Sequence, residues 1–137
     1  MTKHSTPPFA VLVFVLSSAC VQAPPTPPAG DPVTYAAYLE PVVLERCLAC
    51  HTADEPKAEL VLEPGVGYDN LVNRSSIQVP GMALVKPGDP EASYLWLKVD
   101  QRPVEGDGMP RTLFGARRLP EPEVELFRRW IADGALP

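Results

Sequence analysis

Beyond its first twenty residues this chain has only two cysteines and one histidine, and all three stand within five consecutive positions, Cys47-Leu48-Ala49-Cys50-His51. Two thiols three residues apart can engage one small group from a single turn of chain, with an imidazole beside the second. Whatever the rest of the chain folds into must present this one cluster. The third cysteine, Cys20, closes a start that reads as an export signal: Lys3 is basic, Phe9 to Leu16 is an unbroken apolar run, and Ser17-Ser18-Ala19 are small. The run is too short to span a bilayer. Small residues directly before a cysteine resemble a lipoprotein signal, which makes Cys20 the lipidated N-terminus of the mature chain; Leu16, four places before it, departs from that pattern. Cleavage after Val21-Gln22-Ala23 is the competing reading. Lipidation at Cys20 places the protein on the periplasmic side of a bacterial membrane.

A chain of 137 residues is normally one domain. Without its start, it is near the size at which a core made only of side chains is modestly stable, so a large apolar cofactor would help it fold. Eighteen prolines and nine glycines argue against a bundle of long helices, and a formal net charge of -5 argues against a nucleic-acid partner.

Three segments follow: a signal at residues 1–20, a proline-rich tether at 21–32 and a globular domain at 33–137. The tether holds Pro24, Pro25, Pro27, Pro28 and Pro32, which predicts an extended, polyproline-like stretch reaching roughly 35–40 Å. From Thr34 the pattern is helical, with Leu39, Val43, Cys47 and Cys50 on one face and Pro41 kinking or restarting the helix. Residues 58–72 read as an irregular loop followed by a short helix. Asp89-Pro90-Glu91 reads as the start of a helix presenting Ala92, Leu95 and Val99 on one face. The run Arg102-Pro103 to Gly108-Met109-Pro110 is a loop. A final helix is expected from Glu121 to Asp133, carrying Val124, Phe127 and Ile131 with Leu126 and Trp130, and stopped by Gly134. No strand pair stands out.

Three chemistries compete for the cluster. Covalent c-type haem needs two thiols to bond the former vinyl groups and a histidine beside the second to ligate iron, which Cys47, Cys50 and His51 match in full. A thiol-disulfide centre puts such a pair at a helix start, whereas here the pair ends a helix. Zinc normally takes four ligands, and the mature chain offers three soft ones. One covalent haem is the favoured reading. With no second mature histidine, the other axial ligand is expected to be a methionine, Met109 or Met82. Met109 lies in a Gly-Pro-bounded loop, whereas Met82 precedes apolar residues that suit burial in a core. Arg102 or Arg118 could neutralise a haem propionate. Trp96 and Trp130 read as packing residues.

From Tyr38 to Ala135 the chain resembles the class I cytochrome c fold, and more narrowly the planctomycete-type single-haem cytochrome c domains. Besides the Cys-x-x-Cys-His motif, the resemblance rests on Val85-Lys86-Pro87-Gly88-Asp89-Pro90, Ser93-Tyr94-Leu95, Met109-Pro110 and Trp130-Ile131-Ala132-Asp133-Gly134-Ala135. It implies an all-α domain whose first and last helices cross around the haem, with His51 as proximal and Met109 as distal iron ligand. The function it implies is electron transfer between redox partner proteins rather than catalysis. The alternatives are a haem enzyme or sensor with an open distal position, and an accessory domain docked to an exported dehydrogenase or oxidase.

Overall fold

The computed structural model describes residues 26–137 together with Met1. The expected signal and Cys20 lie outside the described residues. What is described is a small, mostly helical domain.

Pro41 sets the form of the first helix. It has no N–H to donate, and its ring crowds the carbonyl four residues back, so an uninterrupted α-helix cannot run through it. The chain makes a π-helical turn over Tyr35–Leu39, with the Glu40 N–H reaching back to Tyr35 O, and then restarts as α1, Glu40–Arg46, with Pro41 in its first turn. Tyr35, Leu39, Val42 and Val43 are buried. The expected single face does not extend through both cysteines. Regular α-helix ends at Arg46 and Leu48–Cys50 tighten into a 3-10 turn, which leaves Cys47 half-buried and Cys50 exposed.

The last helix, α4, is called here by its place in the chain: α2 (Gly67–Leu71) and α3 (Tyr94–Val99) precede it, and α4 itself runs Glu121–Ala132. Pro122 stands in its first turn, and beyond its C-terminus Gly134 takes a φ of +102° that glycine adopts without strain. Val124, Leu126, Phe127, Trp130 and Ile131 are buried. The π-helical turn ahead of α1 and α4 are in contact, as expected for the first and last helices. Trp130 lies 5.5 Å from Tyr35 and 6.4 Å from Tyr68, ring centre to ring centre, and its indole N–H donates to Leu136 O. Gly67 is required beside this group, because a side chain there would occupy the position of the Tyr35 hydroxyl.

Helix α3 departs from expectation. It begins at Tyr94, not at Asp89-Pro90-Glu91. The Asp89 carboxylate accepts from the Ala92 N–H and closes a turn, while the Ser93 hydroxyl donates back to Asp89 O and accepts from the Lys86 N–H. Local side-chain bonds of this kind hold the segment in a turn. The expected face of Ala92, Leu95 and Val99 is also too narrow: Tyr94, Trp96, Leu97, Lys98 and Val99 are all buried, because α3 packs on α4 and is also covered by the loop that follows it.

A second departure is a two-residue antiparallel hairpin, β1 (Arg111–Thr112) with β2 (Gly115–Ala116), which presents Leu113 and Phe114 fully exposed at its tip. Strands this short carry no alternation to read. The end of the expected tether also folds back: the Asp31 N–H bonds Pro28 O, the Arg129 guanidinium donates to Asp31 O, and the Asp133 carboxylate accepts from the Val33 N–H.

Arg46, at the end of α1, makes a two-point pair with Glu123 of α4, at 3.1 and 2.8 Å. The Glu123 side chain is 3% exposed and that of Arg46 32%. Removing Arg46 strands a buried carboxylate, whereas removing the charge of Glu123 leaves a guanidinium that still reaches water. Arg46→Met is expected to lower stability by about 3 kcal/mol or more, and Glu123→Gln by about 1 kcal/mol. Chemical denaturation of the two variants checks the order.

Candidate functional site

The cluster begins where α1 stops. The Cys47 N–H still bonds Val43 O at 2.8 Å, and the chain then turns so that the Cys50 N–H reaches Cys47 O at 3.1 Å and the His51 N–H reaches Leu48 O at 3.0 Å. The two thiols and the imidazole are therefore offered from one tight turn at the end of a helix. Both thiols are free.

Residues 60–62 fix His51 on its other side. Its carbonyl accepts from the Leu62 N–H at 2.7 Å, and its ring Nδ1 lies 3.1 Å from Leu60 O. A carbonyl can only accept, so Nδ1 carries the proton and the lone pair stands on Nε2. Burial holds the imidazole pKa below its ordinary value against the opposing pull of the Leu60 and Lys57 carbonyls. A neutral ring with one nitrogen already bonded is what a histidine ligand needs, since the bond orients the ring and raises the basicity of the other nitrogen.

The thiols distinguish the competing chemistries. Cys47 is pushed up to about 12, first by burial and then by the neighbouring Cys50 and Glu123, with Arg46 acting in the opposite sense. It also stands at the C-terminal end of α1, where the helix dipole disfavours an anion. A thiol-disulfide centre requires the opposite, a depressed thiol pKa. Among the described residues, no three His, Cys, Asp or Glu side chains converge as the ligands of one metal ion would. Two free thiols beside an oriented neutral imidazole fit covalent haem, with Cys47 and Cys50 as attachment points and His51 as a ligand.

The two methionines occupy different settings. Met82 is half-buried against the core, with its N–H bonded to Val79 O and its carbonyl accepting from Ser76. Met109 is half-buried in the loop after α3, on a different element from the Cys-His turn. Its N–H bonds Lys98 O at 2.8 Å and its carbonyl accepts from the Gln101 amide at 2.7 Å.

Neither arginine considered for a propionate is free. Arg102 binds Glu91 and Asp100, and Arg118 binds Asp100 and Glu121. The Arg102 hydrogen bond is the main reason that the Asp100 carboxyl sits below its usual range, with Arg118 adding to it. Sequence reasoning missed three groups around the site: Leu60 O, whose role is a backbone one with no residue-type signal, and Lys98 and Gln101, which look like ordinary surface residues until the loop is seen to close on them.

Residues 47–111 match the family model of planctomycete cytochrome C, a span that runs from Cys47 through Met109. Neither a curated protein nor a solved structure matches the chain. The cytochrome c family implies covalent haem and haem-based electron transfer, typically by exported carriers rather than enzymes. Over residues 47–111, this chain is a planctomycete cytochrome C domain.

Proposed function

We propose that the protein is a single-haem electron carrier of the class I type, with Cys47 and Cys50 holding the haem covalently and His51 and Met109 as its axial ligands. The observation that carries this reading is the bond between His51 Nδ1 and Leu60 O, which leaves Nε2 available beside two free thiols. Haem, when bound, supplies one-electron redox chemistry at iron. The chain supplies the rest. Cys47 and Cys50 fix the group to the end of α1, and Leu60 O fixes the tautomer and orientation of His51. A thioether from Met109 would be the second ligand to the iron, raising its reduction potential and keeping small ligands off it, which would suit a carrier exchanging electrons with redox partner proteins. Met109 is favoured over Met82 because Met82 already packs against the core, the common structural use of methionine.

The same reading places the protein outside the cytoplasm, held to a membrane by lipid on Cys20. Among the described residues no helix is long and apolar enough to cross a membrane. Cys20→Ser is expected to release a soluble protein with an unchanged spectrum. A mature N-terminus at Pro24, read by mass spectrometry, would rule the anchor out.

Cys47→Ser or Cys50→Ser is expected to cut the yield of covalent holoprotein sharply, and the double variant to abolish it, measured as haem retained on a denaturing gel. Met109→Ala is expected to lower the potential, admit carbon monoxide to the reduced protein and remove the long-wavelength sulfur-to-iron band of the ferric spectrum, while Met82→Ala leaves all three in place. The reverse pattern assigns the ligand to Met82. No change in either variant means that the iron is open or bound by another group, and moves the enzyme or sensor reading ahead of the carrier.

A further inference from the structure

Lys98 carries a buried ammonium to which the reading of the haem site above gives no role. It is 5% exposed, and its ammonium sits 4.9 Å above the centre of the Tyr94 ring. It donates to two carbonyls of the loop after α3, Glu105 O at 2.7 Å and Asp107 O at 2.9 Å. Gly106, between them, has a φ of +65°, and a side chain there would come within 3.3 Å of the ammonium. The Tyr94 hydroxyl donates to Glu105 O as well, at 2.6 Å. From the backbone of the same residue, Lys98 O accepts from the Met109 N–H. Gln101 completes the grip, since its amide donates to Met109 O and its side chain fills the space that a side chain at Gly108 would need.

Burying an ammonium against neutral partners costs desolvation energy that a leucine at the same helix position would not incur. Its return is order in a Gly- and Pro-rich loop that has no regular structure of its own. We propose that Lys98, supported by Tyr94 and Gln101, is the positioning residue of the Met109 loop and sets the geometry with which the Met109 thioether is presented. This inference rests on the reading of Met109 as the distal ligand.

The test uses haem-loaded protein and the variants Lys98→Leu and Met109→Ala. Cleavage of the native protein after Glu105 by a glutamate-specific protease reports the loop without reference to the haem, and the ferric sulfur band and carbon monoxide binding report the ligand. Lys98→Leu is expected to speed cleavage at Glu105 at least tenfold and to weaken the band and admit carbon monoxide, with the change at Lys98→Arg smaller. Gln101→Leu, which removes only the amide donor, is expected to move the same readouts in the same direction and serves if Lys98→Leu does not fold. Cleavage at the wild-type rate with the band intact overturns the proposal, as does faster cleavage with the band and carbon monoxide binding unchanged while Met109→Ala alters both. If Met109→Ala alters neither, the ligand assignment is what has failed, and the protease rate alone then decides whether Lys98 holds the loop.

Discussion

The packing of Trp130 against Tyr35 and Tyr68 holds the ends of the described domain together. The three rings come from α4, the π-helical turn before α1, and α2, so one cluster joins the two ends of the chain to its middle. The Tyr35 backbone N–H bonds Leu136 O, the Trp130 indole N–H bonds the same carbonyl, and the Tyr68 hydroxyl donates to Ala135 O. Interiors packed this closely transmit position well. With the start of the first helix fixed against α4, and its far end pinned by Arg46 to Glu123, the turn carrying Cys47, Cys50 and His51 begins from a defined place.

The site is then built from two kinds of support. His51 is held by backbone alone, through Leu60 O at its ring and the Leu62 N–H at its carbonyl. Met109 has one backbone bond, from its N–H to Lys98 O, and otherwise depends on side chains, Gln101 at its carbonyl and Lys98 on the loop before it, because that loop contains too much glycine and proline to organise itself. A residue held by backbone tolerates sequence change in its neighbours, whereas one whose loop is bonded by a buried lysine and a glutamine depends on those residue types. This difference suits the proposed assignment, in which His51 is the permanent ligand and Met109 the one that tunes the potential.

Much of this was legible in the sequence for physical reasons. The Cys-x-x-Cys-His cluster is contiguous, so its chemistry needs no tertiary information, and α4 is long enough for its apolar period to show. Pro41 announces its break because the missing N–H acts wherever the chain goes. The start of α3 was hidden, since Asp89 has the right chemistry for a helix cap and is diverted to a turn by the hydroxyl of Ser93, a competition decided by local geometry. Lys98 was hidden for the opposite reason: a lysine is normally solvated, and only the loop folding over α3 buries it. The β1–β2 hairpin, two residues a side, is below the length at which any pattern can speak.

Everything about the site turns on whether this chain carries haem through thioether bonds to Cys47 and Cys50. The most direct measurement is the intact mass of the exported protein under denaturing conditions, taken with its reduced absorption spectrum before and after acid-acetone extraction. A mass greater than that of the mature chain by one haem, with the colour retained through extraction, is the predicted result. A mass equal to that of the bare chain, or colour lost to the solvent, would contradict it.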